Sequence, residues 1–175
     1  MPSKIYVAYN SATGATLNPP TMVATRATVS PCTMLQIAPA AASPGIRPVF
    51  WGYVLAGTPA NPPDVCLMDT GAVFASGLTA HVAAGITKWN VPSGEASTVQ
   101  LGTALTGYAT ATLPTEGSPT ATRLLDYKRE PGVYYLIQEP LGREPEVAPG
   151  NCLRIVATPS TAAAVSMVCF VGWEE

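Results

Sequence analysis

Eighteen prolines and fifteen glycines, spread along the whole of a 175-residue chain, leave long helices almost nowhere to form. Between them lie short stretches rich in Val, Ile, Thr, Tyr and Trp whose apolar residues recur every second position. In "VFWGYVL", Val49, Trp51, Tyr53 and Leu55 share one face, while Phe50, Gly52 and Val54 share the other. Both faces are apolar, the mark of a strand covered on two sides. "AVSMVCFVGW" puts Val165, Met167, Cys169, Val171 and Trp173 on one side and a more mixed set on the other. This is strand periodicity.

Further strands are expected near residues 4–9, 21–30, 33–38, 64–69, 85–90, 98–103, 132–139 and 152–158. Turn clusters such as "AASPG", "GTPANPPD" and "LPTEGSP" separate them. Eight to ten short strands predict an all-β, jelly-roll-like two-sheet sandwich, formed as a single domain over residues 1–175. Residues 71–84 fit a short helix or another strand equally well. Residues 104–122 are dominated by Ala, Thr, Gly and Pro, and read as an extended, exposed loop or arm.

Charge narrows the function classes. Charged residues make up 11% of the chain, against about 25% in an average soluble domain. Either the outer surface is meant to lie against other polypeptides, where every buried charge would be costly, or a small-residue bias sets the composition. A net charge of −2 with no basic cluster beyond "YKRE" argues against nucleic acid as a partner. No apolar run is long enough for a membrane-spanning helix, and "MPSKIYVAYN" lacks the apolar centre of a secretory signal, so synthesis in the cytoplasm is expected. Cys32, Cys66, Cys152 and Cys169 form no CxxC pair and sit among apolar residues. They are expected to be reduced and packed, with no structural zinc.

Candidate chemistry is thin. His81, the only histidine, lies in "LTAHVAAG" with no shaped nucleophile turn near Ser76 or elsewhere, and reads as a packed or surface residue. Asp64 and Asp69 flank apolar residues and are expected to end a strand, not to bind metal. No phosphate-cradling or dinucleotide motif occurs, and no cofactor is expected. Trp51 and Trp173 read as core, while Trp89, before a turn in "GITKWNVPSG", is the best candidate for an exposed aromatic contact.

The most unusual stretch is "EPLGREPEVAPGNCLR", in which Glu139, Arg143, Glu144, Glu146 and Arg154 fall within sixteen positions. Paired carboxylates would suit glycoside hydrolysis. Arg143 among the acids, however, would hold their pKa values down, where a general acid needs the reverse. The alternative is a rigid corner between two core strands, with Pro140 and Pro145 fixing its two ends and Gly142 the bend. Arg143 then offers a planar fork for a carboxylate, in this chain or on a neighbouring subunit. Glu139, Glu144, Arg143 and Trp89 are the interface candidates, and no residue is assigned to catalysis or metal binding.

Three segments, "KIYVAYN", "YYLIQEPLGREPEVAPGNCLRIVAT" and the terminal "AAAVSMVCFVGWEE", resemble small β-proteins encoded with the virion structural genes of tailed phages of actinobacteria. Residues 58–122 share only their strand-and-turn character. The resemblance implies a non-enzymatic jelly-roll subunit that assembles as a homotrimer and decorates or cements a capsid. Its partners would be the major capsid protein and itself, and its location the capsid exterior. The alternative from another class is a tail or baseplate protein that binds host glycan on exposed aromatics near Trp89 or Tyr108.

Overall fold

The structure, a computed structural model, describes residues 4–12, 20–91, 95–119, 122–129 and 133–175. Twelve strands form over them: β1 (Ile5–Tyr9), β2 (Val23–Ala24), β3 (Cys32–Ile37), β4 (Arg47–Leu55), β5 (Asp64–Asp69), β6 (Thr79–Ala80), β7 (Thr87–Asn90), β8 (Gly107–Tyr108), β9 (Arg123–Lys128), β10 (Tyr134–Gln138), β11 (Leu153–Thr158) and β12 (Ser166–Glu174). A 3-10 turn over Ala83–Gly85 is the sole helical element among the described residues. The first sheet runs β10-β4-β12-β1-β7, with β2 added beside β12, and the second runs β6-β8-β3-β11-β5-β9. Every pairing is antiparallel.

This is the expected all-β two-sheet sandwich. Chain neighbours alternate between sheets, β3 to β4 to β5 and again β9 to β10 to β11 to β12, so most ladders join segments distant in sequence. β1, for example, pairs with β12, and β3 with β11. Such winding gives a jelly-roll-like sandwich its shared core.

The alternation read in β4 and β12 supplies much of that core, except that Val49 lies outside it and lines the outer groove. Trp51, Tyr53 and Leu55 of β4, Met167, Cys169, Val171 and Trp173 of β12, and Tyr6 of β1 face Met34, Ile37, Leu67, Leu153 and Ile155 of the opposite sheet. Trp51 and Trp173 are both fully buried. Trp173 stacks on Tyr6 with centroids 6.1 Å apart, and Trp51 meets Tyr135 edge-on at 5.3 Å. The edges of the two sheets are tied by Asp126, which accepts hydrogen bonds from Trp51 Nε1 (3.2 Å) and from the Tyr135 hydroxyl (2.7 Å). A carboxylate on β9 thus satisfies an indole and a phenol of the other layer.

Several expectations need correction. Only Val23–Ala24 of residues 21–30 is strand, and residues 98–103 contribute a single bridge from Val99 to Pro39. Residues 71–84, left open between helix and strand, supply the two-residue β6, a bridge from Ser76 to Thr115 and the start of the 3-10 turn. Within 132–139, residue 132 lies outside the described residues, and the strand that forms, β10, is a sheet edge and not a core strand.

The segment 104–122 is a long connection exposed only in part, over residues such as Ala111, Thr112 and Ser118, and its residues 120 and 121 lie outside the described residues. Thr106 to Ala109 are buried, and β8 pairs with both β3 and β6. Gly107 sits so close to β6 that an added Cβ would meet the Thr79 carbonyl oxygen at 2.5 Å. Further on, Glu116 accepts hydrogen bonds from Thr33 N and Oγ1, both at 2.6 Å, and pairs with Arg154 at 3.2 Å. Backbone bonds and one carboxylate dock this segment, which is why a count of large apolar residues missed it.

Candidate docking surface

The singled-out residues do not converge on one centre. Arg154 of the "EPLGREPEVAPGNCLR" cluster points into the fold, buried between Glu116 and the Val73 carbonyl. Glu144 accepts the Gly142 N–H at 3.1 Å, inside a turn closed by Arg143 N to the Pro140 carbonyl at 3.0 Å. Gly142 has φ +78° at the third position of that turn, the type II geometry that its sequence predicts. The Glu146 carbonyl accepts from Arg123. Arg143 points outward and makes no ion pair among the described residues. Burial, then Asp126 and Glu144, push the Glu139 carboxyl up, so Arg143 does not hold it down as the sequence suggested.

The remaining candidates are structural. His81 is buried; its Nε2 lies 3.0 Å from the Tyr9 carbonyl, which accepts its proton, and its ring lies 4.7 Å from that of Tyr108. Burial pushes its pKa down to about 4, so the ring is neutral near pH 7. Tyr108 is itself buried and cannot serve as an exposed sugar platform. Asp64 and Asp69 do bound a strand, β5, and both hold β9 alongside it: Asp64 takes Arg129 in a fork at 2.6 and 2.7 Å, and Asp69 takes Arg123 at 3.1 Å. Among the described residues, no three His, Cys, Asp or Glu side chains gather closely enough to hold a metal ion. The four cysteines are free thiols, three buried and Cys66 half-buried. Burial raises Cys66 to about 11 and Cys152 to about 12. No helix among the described residues is long and apolar enough to cross a membrane.

What the fold assembles instead is a surface. β4 and β12 are apolar on both faces, yet only their inner face meets the other sheet. Val7 and Val168 lie outside the core cluster, on the outer face, and are nevertheless buried, Val7 to 1% exposure. Phe50 and Phe170 form the floor of that face, with centroids 6.4 Å apart.

The register explains their pose. "FWG" in β4 and "FVG" in β12 pair antiparallel, so that Phe50 stands opposite Gly172 and Phe170 opposite Gly52. Each ring leans over a glycine. An added Cβ at Gly172 would meet the Phe50 ring at 2.3 Å, and one at Gly52 would meet Phe170 Cζ at 2.8 Å. Glycine is needed here for close approach, since neither residue has a positive φ.

Around this floor runs a groove of about 470 Å³. Trp89 of β7 forms one wall, 66% exposed and edge-on to Phe50 at 5.9 Å. Leu136 of β10 and Leu141 at the tip of the Pro140–Arg143 turn form the other, 47% and 88% exposed. Gln138, Glu139 and Glu174 supply its polar rim. Sequence reading found Trp89 and Glu139 but missed Phe50, Phe170, Leu136, Leu141 and Glu174. The twin F-x-G motifs were the available signal. No protein-family model matches the chain. No curated protein matches it. No solved structure matches it.

Proposed function

We propose that this chain is a phage virion structural protein that performs no reaction: a capsid decoration protein that docks on the assembled shell as a homotrimer and stabilises it. The observation that carries the proposal is the outer face of the first sheet, composed like a core yet left uncovered, with Trp89, Leu136 and Leu141 projecting from it. Contiguous apolar surface of this kind marks a protein-protein contact. The low charge content and the resemblance of the three segments to actinobacterial phage virion proteins support the same reading. Many copies on one shell gain stability together even where each contact is modest.

The test is the particle. The protein should occur in purified virions at a copy number comparable with the major capsid protein, and should bind shells lacking it and raise their melting temperature. Scarcity in virions, or no binding to bare shells, would end the proposal. A second reading, a tail or baseplate protein binding host glycan, draws on exposed Trp89 beside Gln138 and Glu139. It requires few copies per virion and saturable quenching of Trp89 fluorescence by cell-wall glycans.

A further inference from the structure

The groove has two chemical halves. Its floor and walls are apolar, and its rim carries Glu139 and Glu174, neither of which has a cationic partner among the described residues. Arg47 stands opposite Glu174 in the register, yet the two make no ion pair. A fitting occupant presents a compact apolar side chain with an unpaired cation one or two residues away. Carboxylates facing a groove with low-dielectric walls favour such a cation strongly.

This chain displays that combination beside the groove itself. In the Pro140–Arg143 turn, Leu141 is the most exposed large apolar residue described, and Arg143 has no carboxylate partner among the described residues. The turn is pre-shaped by the Arg143 N to Pro140 carbonyl bond and by Gly142, so little conformational freedom is lost on insertion. Within one chain, Leu141 lies only at the groove's margin. A second copy has a free turn to place across the floor.

We infer that the occupant is a second copy of this chain, whose Leu141 enters the Phe50–Phe170–Trp89 groove while its Arg143 pairs with the Glu139 and Glu174 carboxylates. This rests on the assembly reading above and names the contact by which copies join each other. The guanidinium fork suits carboxylates that an ammonium would meet only as a point charge.

Solution mass, measured by sedimentation equilibrium on the intact chain, tests it. The wild type should self-associate, and more weakly as salt rises. Arg143→Glu should weaken association by roughly thirtyfold or more, the loss expected when a paired interfacial charge is reversed. Leu141→Ser should also weaken it; being at an exposed turn tip, it should leave the circular dichroism spectrum unchanged. The triple variant Arg143→Glu/Glu139→Arg/Glu174→Arg should regain association. A monomeric wild type, association in Arg143→Glu or Leu141→Ser equal to wild type, or a triple variant that stays dissociated would each overturn the contact. A monomer that still binds capsid shells would sink this contact alone, whereas an oligomer that no shell accepts would sink the decoration reading alone.

Discussion

Replacing Gly52 or Gly172 by alanine adds one methyl group to the floor of the groove, and the two changes should differ in kind. At Gly52 the new Cβ would lie 2.4 Å from the Tyr135 carbonyl oxygen, a backbone atom of β10. Relief requires β10 to move away from β4 by roughly 1 Å, which stretches flanking ladder bonds beyond the usual N···O range of about 2.9 Å. Two such bonds at about 1 kcal/mol each, added to the strain of overpacking, give about 3 kcal/mol. At Gly172 the atoms nearest the new Cβ all belong to the Phe50 ring, which can swing outward. The loss is then part of the burial of a half-buried phenylalanine, about 1–1.5 kcal/mol. With a urea slope of about 2 kcal/mol per molar, the midpoint should fall by about 1.5 M for Gly52→Ala and about 0.6 M for Gly172→Ala. A double-mutant cycle separates the causes. In a Phe50→Ala background the obstacle at Gly172 is gone, so Gly172→Ala should stabilise by about 0.5–1 kcal/mol through reduced chain entropy. Gly52→Ala should stay destabilising there. If Gly172→Ala is neutral or stabilising in the wild type, the ring does not lie over the glycine and the groove floor is not as described.

Three other perturbations probe the fold around this face. Glu116→Ala strips buried Arg154 and Thr33 of their shared acceptor; it should cost about 3–5 kcal/mol in denaturant unfolding, and a change under 1 kcal/mol would mean that residues 104–119 are not docked. Burial holds the folded His81 pKa down to about 4, below the 6.5 of a free imidazole, so its unfolded form takes up the proton first. Stability is therefore full above pH 6.5 and falls by about 3 kcal/mol as pH drops toward 4; an apolar replacement such as His81→Leu should flatten that stretch of the pH profile, and an unchanged slope would refute the assignment. The buried cysteines, held as neutral thiols, should resist a thiol reagent at pH 8 until the chain unfolds, with half-buried Cys66 reacting first; prompt labelling of Cys152 or Cys169 in the native state would contradict their packing.

The strands that alternation identifies are those whose side chains meet the opposite sheet. "VFWGYVL", "CLMD" and "AVSMVCFVGW" are found to within a few residues as β4, β5 and β12, because burial on one face is what period two records. β9 escaped for the complementary reason. It is an edge strand, "RLLDYK", with three of its six residues, Leu125, Asp126 and Lys128, buried in part and its ends held by ion pairs, so its pattern carries no clean period. β8 escaped because two residues are too few for any pattern. The charge-rich stretch was legible as a proline-bounded turn at Gly142, but not as a dispersal. Arg154 belongs to the alternation of β11, one residue beyond Leu153, and its partner Glu116 comes from a segment that looked featureless. Trp89 could be found alone, as an aromatic before a turn. The groove could not, since five strands and a turn supply it and only the β4–β12 register brings the two F-x-G motifs together.

That register also bears on specificity. A flat sheet face of leucines and valines would invite any apolar neighbour, the hazard of exposed sheet surface in general. Here the rings of Phe50 and Phe170 lean over glycines, so the floor offers ring surface with few projecting groups, while Trp89 and Leu141 stand up on either side. In the proposed contact, shape would then select the occupant before charge does. With only 20 acidic and basic residues in 175, two carboxylates at one rim form a local feature that the rest of the surface does little to blur. A partner that fills the groove without bringing a cation buries Glu139 and Glu174 uncompensated, and a partner that brings the cation without the apolar tip leaves the floor wet. Either error costs on the order of 1–3 kcal/mol. Because discrimination comes from the difference between right and wrong partners, a modest contact with both requirements can be selective without being tight.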